Sequence, residues 1–93
     1  MAIATTPANI QDLMRKAKVK AEEGDYIEAI QHYDQVLLLQ PTHAQALGDR
    51  GLVRANTGDR RGAMEDFRQA ANLFLKEGCM THYEVVCSYM KQI

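Results

Sequence analysis

The sequence predicts an all-α fold of about five helices, arranged as a repeated helix-turn-helix unit. No segment of the 93 residues alternates apolar and polar side chains as a half-buried strand does. Apolar residues instead recur three and four positions apart, between turns marked by glycine and proline. The chain also resembles itself when it is shifted by 34 residues, a period typical of stacked helical hairpins.

The first helix is predicted to start near Thr5, Thr6 and Pro7 and to stop at Gly24. Hydroxyl side chains cap helix starts, and proline is tolerated in the first turn. Glycine supplies the left-handed conformation with which helices often end. Between these signals an apolar stripe recurs at helical spacing: Ile10, Leu13, Met14, Ala17 and Ala21.

Capping and proline signals delimit the second and third helices. Asp25 is predicted to cap the second helix. That helix should end near Leu39 or Gln40, because the residue before Pro41 is pushed out of the helical region. The third helix is predicted over about 43–56.

The last two helices follow the same punctuation. Gly58 and Asp59 repeat the stop and the cap before a fourth helix. Leu75 stands 34 residues after Pro41, so this helix can run longer than the second. Beyond Gly78, a final amphipathic helix carries its apolar residues on one side: Met80, Tyr83, Val86, Cys87 and Met90.

The self-similarity aligns residues 10–43 with residues 44–77. The identical positions fall on the apolar stripe and at the turns, which are the positions that shape a helical hairpin. They include Leu13/Leu47, Val19/Val53, Ala21/Ala55, Gly24/Gly58, Asp25/Asp59 and Ala29/Ala63. Agreement at these positions argues for an architectural repeat and against chance.

These residues closely resemble the tetratricopeptide repeat family over residues 10–77. The shared features are a large apolar residue, a small residue, a Gly-Asp-aromatic turn, an alanine, an aromatic and a closing proline. In the first repeat they are Leu13, Ala17, Gly24-Asp25-Tyr26, Ala29, Tyr33 and Pro41. The second repeat has Leu47, Gly51, Gly58-Asp59, Ala63 and Phe67, but it departs from the pattern at Arg60 and Leu75.

The resemblance implies a right-handed stack of helical hairpins, an α-solenoid. Residues 1–9 would form an N-terminal segment and helix start, residues 10–43 and 44–77 the two repeats, and residues 78–93 a capping helix. In this family the first helices of successive repeats line a concave groove that holds a peptide or a partner helix. Carried onto this chain, the groove would include Gln11, Arg15, Lys18, Gln45, Gly48, Asp49, Leu52, His82, Tyr83 and Val86.

Two features of this groove bear on its ligand. Gly48 lies inside a helix, where glycine is unfavourable, and it reflects either close helix packing or neutral drift, or else a ligand that approaches the backbone. Chaperone-binding members of the family clamp a terminal carboxylate with Lys, Asn and Arg. The matching positions here are Met14, Lys18, Asp49, Cys79 and Tyr83, so that clamp is not expected.

Composition and motifs exclude several other classes of function. A net charge of −1 does not favour a nucleic-acid-coating protein, and RNA binding through the basic first helix remains a minor alternative. We expect no catalysis and no cofactor, because the sequence has neither a phosphate-binding glycine loop nor a nucleophile–base pattern. Cys79, His82 and Cys87 resemble half of a metal site that nothing completes.

The arginines and lysines indicate a solvated face or, alternatively, a groove that attracts an acidic segment.

The sequence therefore predicts a non-catalytic adaptor that binds another protein or peptide through its groove. The alternative is a self-associating assembly protein, a homodimer with or without an exchanged helix, whose own chain fills the groove. No membrane association is expected, since no apolar run approaches the length of a membrane span. The first ten residues carry no secretory signal, so a cytoplasmic location is the expectation.

Overall fold

The computed structural model describes residues 9–93, which form five α-helices. They are α1 (Ile10–Glu22), α2 (Tyr26–Leu39), α3 (Ala44–Asn56), α4 (Arg60–Lys76) and α5 (Met80–Gln92). This confirms the all-α prediction. The helix start expected at Thr5 to Pro7 lies outside the described residues, and α1 is instead capped by Asn9, whose Oδ1 accepts a hydrogen bond from the backbone N–H of Gln11 at 2.8 Å.

The turns after α1, α3 and α4 have the same backbone geometry. Gly24, Gly58 and Gly78 have φ angles of 82°, 88° and 76°, the left-handed region that glycine tolerates. In each turn the N–H of the next residue reaches back to a carbonyl inside the preceding helix, as in the 2.8 Å bond from Asp25 to Lys20. This arrangement satisfies carbonyls at the helix end that would otherwise lack donors.

Aspartate caps α2 and α4 as the sequence predicts. Oδ1 of Asp25 accepts from the backbone N–H of Glu28 at 3.3 Å, and Oδ1 of Asp59 accepts from the backbone N–H of Gly62 at 2.9 Å. His43, expected as the first residue of α3, instead precedes it and caps it through Nδ1. With Leu75 in place of proline, α4 reaches 17 residues against 14 for α2.

The helices stack in chain order, each one packed against the helix before it and the helix after it. Small residues permit the close contacts, as predicted. A Cβ added to Gly51 would lie 2.7 Å from Cε1 of Phe67, so only glycine fits there. Two buried clusters result, one among α1, α2 and α3 and one among α3, α4 and α5, and Leu37 packs against both.

A buried ion cluster joins α3 to α4. Asp66 is 1% exposed, and its carboxylate accepts two hydrogen bonds from Arg50, at 2.9 and 2.8 Å, and one from Arg54 at 3.1 Å. Arg50 also pairs with Asp34 of α2 at 2.8 Å. These pairings raise the pKa of Arg50 against the opposing effect of its burial. The cluster therefore fixes three helices relative to one another.

Within residues 9–93, none of the helices combines the length and the apolar character needed to cross a bilayer.

Candidate functional site

Two cavities lie side by side along one face of the helix stack. The first, of about 180 Å³, lies between α3 and α5, and the second, of about 230 Å³, lies between α1 and α3. Asp49 and Leu52 line both cavities, so the two form one continuous surface. We call this surface the groove.

Six of the ten predicted groove residues line the α3–α5 cavity: Gln45, Gly48, Asp49, Leu52, His82 and Val86. A seventh, Lys18, lines the α1–α3 cavity. The remaining three, Gln11, Arg15 and Tyr83, line neither cavity. Tyr83 packs against the cluster of α3, α4 and α5, and Arg15 pairs with Asp12 on the surface of α1 at 2.8 Å.

Four residues of the α3–α5 cavity are missing from the sequence prediction: Phe74, Thr81, Val85 and Tyr89. Three of these lie on α5 within one turn of the predicted residues His82 and Val86, so helical spacing could have found them. Phe74 comes from α4, the second helix of its repeat, whereas the resemblance places the groove on the first helices. Helical periodicity does not reveal that its ring reaches the groove.

The α3–α5 cavity is mainly apolar. Phe74 and Val86 are buried, and the ring of Phe74 stacks on the imidazole of His82 with centroids 5.0 Å apart. Val85 lines the same cavity and is 43% exposed, which leaves an apolar surface open to solvent. A cavity of this kind can accept an apolar side chain from a ligand.

Gly48 forms part of the cavity wall without being required by helix packing. A Cβ built on Gly48 would lie 3.9 Å from Cβ of Ala70 and 3.9 Å from Cγ2 of Val86, which is ordinary van der Waals contact. The structure therefore has room for alanine at this position. Close packing therefore does not explain this glycine, whereas neutral drift and ligand approach both stay predictions.

Asp49 is the acidic residue at the centre of the groove. Burial raises the pKa of its carboxyl, while a hydrogen bond from Nε2 of Gln45 and the charges of Lys18 and His43 act in the opposite direction. Among residues 9–93, no lysine or arginine nitrogen lies within ion-pair distance of this carboxylate. Its negative charge also adds to the effect of burial in raising the pKa of Tyr33.

The arginines of α3 do not belong to the groove. Arg50 and Arg54 both donate to Asp66, on the side of α3 that faces α4. These two arginines therefore belong neither to a solvated face nor to the subset of basic residues proposed to attract an acidic segment into the groove. Other arginines line a separate cavity beside α4, namely Arg60, Arg61 and Arg68.

Histidine, cysteine, aspartate and glutamate side chains are the usual metal ligands in proteins. Over the described range 9–93, no group of three or more of them is placed so that it could hold a metal ion. Cys79 and Cys87 are both free thiols.

Comparison with known proteins gives consistent matches. The family model described as "Tetratricopeptide repeat" matches residues 13–43. The chain is 34% identical over 64 residues, 69% of its length, to tetratricopeptide repeat protein 36 of Danio rerio, and it covers 34% of that protein. It is 38% identical over 53 residues, 57% of its length, to the Homo sapiens protein of the same name, and it covers 28% of it.

A further match extends over a similar part of the chain. General transcription factor 3C polypeptide 3 of Homo sapiens is 28% identical over 67 residues, which is 72% of this chain and 8% of that protein. The chain spans about a third of the length of the proteins named tetratricopeptide repeat protein 36 that it matches.

Proposed function

Because the chain belongs to the tetratricopeptide repeat family, we propose that it is a non-catalytic interaction module that binds a peptide or helix of another protein in the groove. The observation that carries this proposal is the α3–α5 cavity, which exposes Val85 beside the room left by Gly48. An open apolar cavity bordered by a few polar groups is the usual form of a ligand site.

A second candidate is the self-associated assembly, in which the groove is filled by a second copy of the chain. It is supported by the exposed apolar side chains of α5, Met80 at 48% and Val85 at 43%. The cytoplasmic location expected from the sequence is compatible with both candidate functions, and it stays a prediction.

The proposed function is tested by selecting a displayed random-peptide library on the purified protein and titrating the enriched peptides into isotope-labelled protein. We expect the amide resonances of Gly48, Leu52 and Val86 to shift, because these residues line the cavity. Resonances of the outer face of α2, around Leu38, should stay in place, since that residue lies away from the groove.

Two valines of equal exposure provide a matched pair of variants. Val85 and Val19 are each 43% exposed, but only Val85 lines the groove. Val85→Arg should block the cavity and abolish peptide binding, whereas Val19→Arg should bind peptides as the unmodified protein does. Equal binding by both variants would overturn the assignment of function to the groove.

A further inference from the structure

We propose that the segment bound in the groove is apolar and basic: it inserts one apolar side chain between α3 and α5 and places a lysine or arginine against Asp49. This inference rests on the proposed function and specifies the chemistry of the partner. It is carried by the charges of the groove and by the unequal satisfaction of the two Asp49 oxygens.

The charged residues that line the two cavities favour a cation. Asp49 and Glu22 contribute negative charge, and Lys18 is the one lysine or arginine among the lining residues that the structure describes. No guanidinium of α3 offsets this balance, because Arg50 and Arg54 are held by Asp66. A basic segment is therefore attracted and an acidic segment is repelled.

The carboxylate of Asp49 retains an acceptor for a ligand. Its Oδ1 accepts from Nε2 of Gln45 at 2.9 Å, whereas within residues 9–93 no donor is hydrogen-bonded to Oδ2. Asp49 is partly withdrawn from solvent, and a charge-assisted hydrogen bond is stronger in such a place than on an open surface. A lysine or arginine of the partner supplies both the donor and the opposite charge.

The apolar contact and the charged contact of the proposed ligand lie next to each other in the groove. Asp49 borders the α3–α5 cavity that is lined by Phe74, Val85 and Val86. A segment whose apolar side chain fills this cavity therefore brings its neighbouring side chain to the carboxylate. The expected recognition element is an apolar residue with a lysine or arginine close to it in the partner's sequence or on the same helix face.

The test is a parallel selection of one displayed random-peptide library on the unmodified protein and on Asp49→Lys. Peptides enriched on the unmodified protein should carry lysine or arginine beside an apolar residue. On Asp49→Lys the enrichment should change to aspartate or glutamate at that position. Glu84→Lys is the control. It also replaces a negative charge with a positive one, but at an exposed residue of α5 that lines neither cavity.

Binding constants for single peptides complete the test. An enriched basic peptide should bind Asp49→Asn about tenfold more weakly than the unmodified protein, as expected when a hydrogen bond to a charged group is lost. It should bind Glu84→Lys with little change. The same enrichment pattern on the unmodified protein and on Asp49→Lys would overturn the proposal.

The outcomes separate this inference from the function on which it rests. Peptides that Val85→Arg blocks but that show no basic preference would contradict the inference and leave the proposed function standing. If Val85→Arg blocks none of the selected peptides, the groove assignment itself fails. Enrichment of acidic peptides on the unmodified protein would overturn the inference directly.

Discussion

Gly48 and Gly51 lie about one turn apart on α3, and the structure has room for a larger residue only at Gly48. At Gly51 a Cβ would lie 2.7 Å from the buried ring of Phe67, so Gly51→Ala should destabilise the protein by about 1–3 kcal/mol through overpacking. At Gly48 the nearest atoms are 3.9 Å away, so Gly48→Ala should stabilise it by about 0.5–1 kcal/mol through helix propensity. Urea denaturation measures both changes, and a shift in the same direction for both would contradict this account.

Because the pKa of Asp49 is raised in the folded protein, ionisation of this carboxyl should lower the free energy of unfolding. The folded protein holds the proton more tightly than the unfolded chain does, so stability falls as pH rises from the ordinary aspartate range through the raised pKa. Asp49→Asn should therefore be more stable than the unmodified protein at neutral pH. The difference should vanish at pH values below the ordinary aspartate pKa of about 3.9, where both states are protonated.

Denaturant unfolding at a series of pH values checks this expectation. Glu84→Gln is a suitable comparison, because Glu84 is exposed on α5 and its replacement should produce no such trend. A stability difference between Asp49→Asn and the unmodified protein that grows as pH falls would show the opposite sign and contradict the argument. A stabilising Asp49→Asn that loses peptide binding would indicate that the carboxylate is retained for function.

Asp66 illustrates what the residue pattern could not disclose. The 34-residue shift aligns it with His32, so the comparison of the repeats offers no matching acid. The same shift aligns Arg50 with Lys16 and Arg54 with Lys20, so a basic residue stands at these positions in both repeats. The alignment does not reveal that Asp66 is the partner of the two arginines. An aspartate on an amphipathic helix ordinarily faces solvent. Its burial follows from the contact between α3 and α4, a tertiary fact that local sequence does not contain.

At the scale of the helices, most boundaries could be predicted because each depends on a local signal. Gly24 and Gly58 stop helices through their backbone conformation, and Asp25 and Asp59 start helices through a hydrogen bond three residues ahead. The turn at Gly78 has the same backbone but a cysteine in the cap position, and Cys79 makes no side-chain cap bond. α5 therefore begins with a weaker cap than α2 or α4.

Restoring the missing cap should stabilise α5. Cys79→Asp places a carboxylate where it can accept from the backbone N–H of His82, as Asp25 does from Glu28. We expect a gain of about 1 kcal/mol, reduced by the loss of the partly buried thiol from its contact with the core. Thermal unfolding and amide exchange within α5 measure it. An equal gain in Cys79→Ala would show that capping is not the cause.

The position of a groove residue on its helix is harder to predict than the helix itself. The resemblance selected Lys18, Asp49 and Leu52, and all three line the cavities, but that they bind a partner stays a prediction. On α5 the groove is lined by the selected His82 and Val86 and also by Val85, which the resemblance did not select, whereas the selected Tyr83 packs against the core. The rotation of α5 depends on its packing against α4 and, through Val86, against α3, and these tertiary contacts are not encoded in the helical spacing.

For the whole molecule, the stacking in chain order gives an elongated shape. The extents are 51 × 31 × 18 Å, and the radius of gyration of 13.8 Å exceeds the value of about 12 Å expected for a compact domain of this length. Because each helix packs on its neighbours in the chain, the residues between the first helices of successive repeats stay open. The groove is thus a consequence of the repeat architecture, and the specificity proposed for it depends on the side chains that line it.

The same charges that favour a basic partner oppose self-association through the groove. A two-fold interface through the groove brings together two copies of a patch in which Asp49 and Glu22 outnumber Lys18, so the two patches carry net charge of the same sign. We therefore expect light scattering to give the mass of a monomer at high micromolar concentration, and Val85→Arg to leave that mass unchanged. A dimer that Val85→Arg dissociates and Val19→Arg preserves would instead establish that a second copy occupies the groove.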